Sequence, residues 1–317
     1  MLKPILTMAF FVAALPLAGQ AQEDKDWKHQ PNRALPWVTA EVKAPRIEFR
    51  SFESKIVGAK VSYHVYTPLA YDDPKSRLPV LYWLHGTEGG VVGVRPVAEL
   101  FHDAIQAKKQ PAMFVVFVNG LPRRLWADSK DGSAPVETVF VTELIPEVDK
   151  QYRTIAKREG RILEGFSMGG YGAARIGFKH PDLFAGVSIL AGGPLDLEFE
   201  GPRAIHNPML RKQILTDVCG SDMEYFKKIS PWLIAESSAE KLREKKMVIR
   251  QAVGNRDNTR DLNAKFHERM ADLQIPHEYT ELPNVGHDAR ALLTVLSERN
   301  GEFYRRALGH ASSESKK

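Results

Sequence analysis

A serine set between glycines is the residue in this sequence best suited to chemistry. Residues 165–170 read GFSMGG, with glycines two positions before and two positions after Ser167. An apolar stretch precedes the motif and an alanine-rich stretch follows it, so the serine would lie on a tight turn between a strand and a helix. There the helix N-terminus favours developing negative charge. The motif predicts a nucleophile, and the alternative is a glycine-rich structural turn with an incidental serine.

A base and an acid for this serine occur later in the chain. His287 lies in a loop between the last predicted strand and the last predicted helix. Asp257 follows another predicted strand, which would bring it to the same edge of the sheet, where it would hold the imidazole in the required tautomer. Two alternatives stay open: His287 is a solvent-facing loop residue, or Asp257 or Asp261 only caps the next helix. Asp261 is also the reserve candidate for the acid.

Two backbone amides are expected to form an oxyanion hole. One belongs to Met168, the residue after the nucleophile, and the other to Thr87 in the segment 85–90, which reads HGTEGG. An acyl-transfer enzyme needs such donors because a tetrahedral intermediate carries negative charge on oxygen. His85 is expected to shape this loop and is a poor candidate for a second base.

Strands and helices alternate along the sequence. Strands are predicted at 47–56, 60–66, 79–84, 113–118, 161–165, 184–190, 247–253 and 277–282, and helices at 98–107, 137–145, 168–179, 262–273 and 289–305. This alternation predicts an α/β fold with a mainly parallel sheet, covered on both faces, and two antiparallel strands leading into it. The glycine- and proline-rich segment 192–240 interrupts the rhythm and is expected to form loops and short helices at the rim.

The composition favours one exported globular domain. The chain has 317 residues, 43% hydrophobic and 26% charged, with a formal charge of +5. We expect a signal peptide at 1–21, an extended arm at 22–45, a catalytic domain at 46–308 and a frayed tail at 309–317. Cys219 is the only cysteine, so an internal disulfide is excluded and no lipid anchor is expected at the cleavage point. The absence of a run of like charges argues against nucleic-acid binding.

Metal and cofactor motifs do not occur in the sequence. It has no HExxH motif, no cysteine pair and no histidines at ligand spacing, and no lysine follows the glycine pairs as a phosphate loop requires. We therefore expect neither a metal nor a cofactor.

Four segments resemble a group of α/β hydrolases. They are LPVLYWLHG at 78–86, ELIP at 143–146 with YRT at 152–154, GFSMGG at 165–170 and HPDLF at 180–184. The group includes the feruloyl and acetylxylan esterases of carbohydrate esterase family 1, the S-formylglutathione hydrolases (esterase D) and the antigen 85 mycolyltransferases. The resemblance runs from about Val61 to Tyr304. It implies an α/β-hydrolase fold, the triad already named, and a structural position for Asn263. Glu88 departs from the pattern of the His-Gly loop and leaves the geometry of the Thr87 donor open.

Together with the predicted signal peptide, the resemblance implies a secreted serine esterase that works through an acyl-enzyme. Acetyl or feruloyl esters of carbohydrates are the expected substrates, as small molecules or polysaccharides. Trp126, which follows the strand at 113–118, is a candidate to stack on a sugar or an aromatic acyl group, the alternative being a packed tryptophan. The competing functions are an acyltransferase of the mycolyltransferase type with the same triad and a non-catalytic binding protein. The sequence leaves the oligomeric state open.

Overall fold

An eight-stranded mixed sheet forms the centre of the protein. The computed structural model describes residues 35–199 and 207–309. The strands are β1 Ile47–Ser54, β2 Ala59–Tyr66, β3 Val80–Leu84, β4 Phe114–Val118, β5 Arg161–Phe166, β6 Gly186–Leu190, β7 Val248–Gly254 and β8 Glu278–Leu282, in the order β1-β2-β4-β3-β5-β6-β7-β8. Strand β2 pairs antiparallel with β1 and β4, and all other pairs are parallel. The prediction of a mainly parallel sheet with two antiparallel leading strands is confirmed.

Helices cover both faces of this sheet. They are α1 Val94–Gln106, α2 Val136–Val139, α3 Ile145–Gln151, α4 Met168–Lys179, α5 Pro208–Asp217, α6 Met223–Ile229, α7 Pro231–Glu244, α8 Arg260–Asp272, α9 Ala289–Leu296 and α10 Glu298–Ala307. A π-helical segment, Phe140–Leu144, joins α2 to α3, and short 3₁₀ turns lie at Leu69–Asp72 and Arg158–Gly160.

The central strands divide the core into two layers. Every residue of β3, β4 and β6 is buried, because parallel strands covered on both faces have no solvent side. Side chains alternate along β3, so Tyr82 and Leu84 pack in the layer of α4, α7 and α8. Leu81 and Trp83 pack in the layer of α1, α9 and α10. The carboxyl ends of the parallel strands therefore meet at one edge, held rigidly from both sides.

The predicted helix at 289–305 is wrong in one respect, because it is two helices. Ser297 has φ 40° and ψ −112° between α9 and α10, a backbone that cannot continue a right-handed helix. Leu293, Leu296 and Asn300 keep helical spacing across the break and are all buried, so the pattern conceals it. The predicted helix at 137–145 is also too short, since α2, the π-helical segment and α3 extend from 136 to 151.

The segment 192–240 was predicted to form loops and short helices at the rim. Its described part fits this prediction except at the C-terminal end, where a longer helix packs into the core. Helices α5, α6 and α7 begin after Asn207, Asp222 and Ser230, whose side chains accept hydrogen bonds from the first turns. Helix α7 has 14 residues and joins the core layer of α4 through Ile234 and Ala235. It is therefore part of the helical layer.

Three predicted segments fall wholly or partly outside the described residues. They are the signal peptide at 1–21, the arm at 22–45 before residue 35, and the tail from residue 310. In the described end of the arm, the Trp37 carbonyl oxygen accepts a hydrogen bond from the Ser62 amide at 2.8 Å. Within the described ranges, no helix combines the length and the apolar character that crossing a membrane requires.

Candidate active site

Ser167 lies on a sharp turn between β5 and α4. Its backbone has φ 59° and ψ −121°, a conformation that costs a residue with a side chain about 1–3 kcal/mol. A Cβ on Gly165 would lie 2.2 Å from the Gly169 carbonyl oxygen, and one on Gly169 would lie 1.9 Å from the Leu84 carbonyl oxygen. The glycines of the motif are therefore required by the close packing of α4 on β5 and β3, which maintains the turn.

His287 lies beside this serine, with Asp257 behind it. The His287 Nε2 atom is 2.9 Å from Ser167 Oγ, and its Nδ1 atom is 2.9 and 3.0 Å from the two Asp257 oxygens. With the ring proton on Nδ1 and donated to Asp257, the Nε2 lone pair faces the serine hydroxyl. The His287 side chain is 33% exposed, whereas that of Asp257 is fully buried. The structure thus brings together the three residues that the sequence predicted.

The buried Asp257 carboxylate is stabilised in its charged form. Burial by itself raises the pKa of Asp257, but hydrogen bonds from His287 and Thr259 outweigh it and hold the pKa below its ordinary value. Thr259 donates twice to Asp257 Oδ1, from its amide at 2.7 Å and its hydroxyl at 2.8 Å. Asp261, the reserve candidate, is 80% exposed and faces Arg260. The acid beside His287 is therefore Asp257.

The loops that carry the acid and the histidine are joined directly. The Asn255 side chain accepts a hydrogen bond from the Asn284 amide at 2.8 Å, and the Arg256 amide donates to the Val285 carbonyl oxygen at 3.0 Å. A Cβ on Gly254 would lie 2.1 Å from that carbonyl oxygen. These contacts fix the distance between the two loops, and with it the distance between Asp257 and His287.

The loop after β3 passes next to Ser167. A Cβ on Gly86 would lie 3.5 Å from the Ser167 Cβ atom. Gly86 is therefore beside the nucleophile, and the Thr87 amide is the next one along the chain. As the first residue of α4, Met168 has no carbonyl of that helix to donate to, and the Thr87 amide makes no backbone hydrogen bond within residues 35–199 and 207–309. Both remain available for the oxyanion role that the sequence predicted.

His85 holds this loop from inside the protein. Burial lowers the pKa of His85 to about 4. Its neutral ring has Nδ1 2.7 Å from the Gly86 carbonyl oxygen and Nε2 3.1 Å from the Gly120 amide, which assigns the proton to Nδ1. Because both ring nitrogens are used and the ring is buried, His85 shapes the loop as the sequence suggested.

The expectation that Trp126 stacks on a substrate is wrong. Its side chain is completely buried, and Cβ atoms on Gly120 and Gly172 would lie 2.3 and 2.4 Å from its ring. The indole Nε1 atom donates to the His85 carbonyl oxygen at 3.1 Å. The second alternative, a packed tryptophan, is correct. Leu125 and Trp126 both have positive φ. This unusual backbone, which carries the ring into the core, was not visible in the sequence.

The outer side of the oxyanion loop is linked to the inserted segment. The Arg123 amide donates to the Thr87 carbonyl oxygen at 3.2 Å, and its guanidinium donates to Gln213 of α5 at 3.2 Å. Glu88, largely exposed, lies 4.0 Å from the same guanidinium. The carboxylate noted in the sequence is thus at the surface of the loop, next to a cation, and Arg123 connects the loop to α5.

The described residues include no metal site, and a cavity among them lies away from the triad. Among the described residues, no group of three or more His, Cys, Asp or Glu side chains is placed to hold a metal ion. A cavity of about 280 Å³ is lined by residues such as Phe101, Gln110 and Leu293 of the opposite core layer, and by no residue of the triad.

Comparisons with known proteins agree with this geometry. Residues 54–292 match the family described as "Putative esterase". Esterase Rv1288 of Mycobacterium tuberculosis is 26% identical over 275 residues, covering 77% of this chain and 56% of the relative. An endo-1,4-beta-xylanase/feruloyl esterase of Xylanibacter ruminicola is 30% identical over 165 residues, covering 49% and 23%. The chain therefore spans about half the length, or less, of these curated relatives.

Solved structures share the fold. A ferulic acid esterase superposes with a TM-score of 0.66 at 24% identity, over 82% of this chain and 98% of that one. The Anaeromyces mucronatus ferulic acid esterase, solved with ferulic acid, gives a TM-score of 0.59 at 19% identity, over 86% and 95%. An S-formylglutathione hydrolase of Staphylococcus aureus gives 0.63 at 15% identity, over 83% and 98%. These likenesses identify the fold as that of the α/β hydrolases.

Proposed function

The chain belongs to the "Putative esterase" family, and from that premise we propose that it is a serine hydrolase that cleaves carboxylic esters through an acyl-enzyme. One observation carries the proposal: Ser167 Oγ lies 2.9 Å from His287 Nε2, whose other ring nitrogen contacts the buried Asp257 carboxylate. A serine hydroxyl is a weak nucleophile unless an adjacent base removes its proton. The contact supplies that base, already oriented by a third group.

The reaction has two steps with the same residues. The Ser167 oxygen attacks the ester carbonyl while His287 accepts its proton, and His287 then gives that proton to the departing alcohol. Water next enters, loses a proton to His287 and attacks the acyl-enzyme; the acid is released as His287 returns the proton to the Ser167 oxygen. Asp257 stabilises the imidazolium that forms in each step. The Met168 and Thr87 amides receive the negative oxygen of each tetrahedral intermediate.

Esters of carbohydrates with acetic or ferulic acid are the substrates we propose. The support comes from two relatives whose names include feruloyl or ferulic acid esterase and whose likeness spans about half to most of this chain. The loop of Glu88 begins beside Ser167, and Arg123 links it to the inserted segment. Loops on a rigid scaffold commonly set specificity, so this segment is the region that would select the acyl group and the alcohol.

A panel of esters tests the proposal. The protein is assayed with p-nitrophenyl acetate, p-nitrophenyl butyrate, methyl ferulate and acetylated xylan, beside the Ser167→Ala variant. We expect turnover that the variant loses by at least ~10³-fold, and the panel identifies the acyl preference. Formation of a new ester only when a sugar acceptor is added would instead identify an acyltransferase. Absence of both reactions, with an intact fold by circular dichroism, would favour a binding protein.

We also propose that residues 1–21 form a cleaved signal peptide and that the protein acts in the periplasm or outside the cell. The support is the sequence pattern of Lys3 followed by an apolar run to Leu17 and small residues to Ala21. Mass spectrometry of the protein recovered from the periplasm or medium of an expressing bacterium tests this. A mature N-terminus at Gln22 is expected, and intact Met1 in the cytoplasm would contradict it.

A further inference from the structure

Thr259 contacts the acid of the triad without being a member of it. It is two residues after Asp257, and its amide and hydroxyl are 2.7 and 2.8 Å from the same carboxylate oxygen, Oδ1. That oxygen is also 3.0 Å from His287 Nδ1. A single oxygen thus accepts from both the imidazole and the threonine, so whatever changes one contact changes the other.

The direction of the Thr259 hydroxyl bond follows from its neighbours. Gln251 Nε2 donates to Asn263 Oδ1 at 3.0 Å, which turns the Asn263 Nδ2 group towards Thr259, where it lies 2.8 Å from the carbonyl oxygen and 3.2 Å from Oγ1. The Nδ2 group is only a donor and an ionised carboxylate only accepts, so the Thr259 hydroxyl is the donor to Asp257. The hydrogen of Thr259 therefore points to Asp257, as the 2.8 Å contact requires.

The same chain of hydrogen bonds reaches the nucleophile. Asn263 Nδ2 also donates to the Gly192 carbonyl oxygen at 2.9 Å, and the next amide, that of Gly193, donates to the Ser167 carbonyl oxygen at 3.3 Å. Gln251 and Asn263 are both completely buried. Thr259 is thus the last link of a buried polar chain that is anchored on the loop beside Ser167.

Few charged groups compete with this contact. Within the described residues, the Asp257 carboxylate accepts hydrogen bonds from His287 and Thr259, and the His287 ring contacts Asp257, Ser167 and the ring of Phe166. Asp288, the next residue along the chain, is used at the start of α9, where it accepts from the Ala291 amide. The Thr259 hydroxyl is therefore well placed to influence the charge that His287 meets.

We propose that Thr259 is a positioning residue of this active site, whose hydroxyl orients the Asp257 carboxylate towards His287 and moderates its negative charge. The proposal rests on the proposed function of the triad. Thr259 touches neither substrate nor the reacting atoms, and it acts through Asp257. Without the hydroxyl, the carboxylate has one donor fewer and more freedom to rotate. The carboxylate charge then favours the protonated imidazole more strongly, so His287 becomes protonated at a higher pH.

Two variants separate this role from a structural one. Thr259→Val keeps the shape and removes the hydroxyl, and Thr259→Ser restores it. With an ester that the wild type hydrolyses, we expect Val to lower kcat about tenfold, the effect of one hydrogen bond to a charged group, with KM unchanged. The acid limb of its kcat/KM profile should move to higher pH by about half a unit. Ser should match the wild type in kcat and in the pH profile.

A purely structural threonine would give another result. Loss of helix α8 stability would lower the unfolding temperature and the fraction of active enzyme, but it would leave the acid limb in place. The active fraction is counted by covalent titration of Ser167 with a fluorophosphonate. A Val variant with wild-type kcat and pH profile per active site, or a Ser variant as impaired as Val, would overturn the proposal.

A substrate-free measurement keeps the two proposals distinguishable. The protonation of the His287 ring is followed by NMR with ¹³C-labelled histidine, the resonance being assigned by its loss in His287→Gln. We expect the titration midpoint to be higher in Thr259→Val than in the wild type and unchanged in Thr259→Ser. If the wild type hydrolyses no ester, the proposed function fails, while this shift still supports the contact. An unchanged midpoint in the Val variant refutes it.

Discussion

Two buried carboxylates, one within a strand of the sheet and one in a loop that follows a strand, have different partners. Glu164, three residues before the nucleophile on β5, is fully buried and lies 2.7 Å from the Arg250 guanidinium. The Tyr304 hydroxyl donates to both of its oxygens, at 2.9 and 3.1 Å. Asp257, also buried, lies against His287 instead. One carboxylate meets a permanent cation, and the other meets a ring that gains and loses its charge.

The difference shows how the same buried group serves structure in one place and chemistry in another. Arg250 is 4% exposed and completes its contacts with Ser188 and Asn300, so its charge is always present and always compensated. His287 is 33% exposed and faces a serine hydroxyl. Asp257 therefore stabilises a charge that exists only during the reaction. The two sites therefore differ in two ways: whether the partner's charge is permanent, and whether the partner side chain reaches solvent.

The largest effect is expected from Asp257→Asn. Because an amide cannot stabilise the imidazolium and favours the wrong tautomer, kcat should fall by ~10⁴-fold. The substitution removes a buried charge and leaves no other buried charge without a partner, so the free energy of unfolding should change little. Steady-state kinetics and urea unfolding measure both quantities. Asp261→Asn, at an exposed aspartate, is the matched control and should keep wild-type kcat.

Glu164→Gln should show the opposite result. Arg250 stays charged and buried without its counter-ion, which costs about 3–5 kcal/mol of unfolding free energy. Molecules that remain folded should keep most of their activity, since Glu164 touches no residue of the triad. Adding Arg250→Met should recover part of the lost stability, as measured by urea unfolding. A Glu164→Gln protein as stable as the wild type would invalidate the comparison.

A third prediction concerns His85, a buried histidine whose ring contacts the Gly86 carbonyl oxygen and the Gly120 amide. Its pKa is about 4 in the folded protein against an unfolded value of about 6.5. As the pH falls, the unfolded chain therefore binds the proton first. The contribution of neutral His85 to the free energy of unfolding is fully present above pH 6.5 and is lost as the pH falls towards 4. The loss from this residue is about 3 kcal/mol. Unfolding free energies at pH 7 and pH 4.5 test this, and His85→Gln should show a smaller difference between them.

The smallest effect is expected from Trp126→Phe. The variant keeps an aromatic ring in the core but leaves the His85 carbonyl oxygen without its donor, at a cost of about 1–3 kcal/mol. Because Trp126 supports the oxyanion loop and contacts no substrate, kcat/KM should fall by one common factor for every ester of the panel. A loss confined to feruloyl or sugar esters would show that the ring does reach the substrate.

Much of the fold and the triad could be predicted because their signals are local. Apolar runs such as the one in β3 report burial on both faces, and the glycines around Ser167 report a turn that only small residues allow. The break at Ser297 was not predictable, because helical spacing continues through it. The burial of Trp126 was missed because its ring fits against Gly172 of α4 as well as the nearby Gly120, and Gly172 is distant along the chain.

What the sequence alone determined is the sheet, the turn that carries Ser167, and the order of serine, acid and histidine. Spacing and residue type are sufficient for these, since each depends on neighbours in the chain. Only the tertiary structure decided that Asp257 and not Asp261 meets His287, and that Thr259 shares the acid's oxygen with it. These choices depend on distances of about 3 Å between loops up to 30 residues apart, which close packing sets and local patterns do not encode.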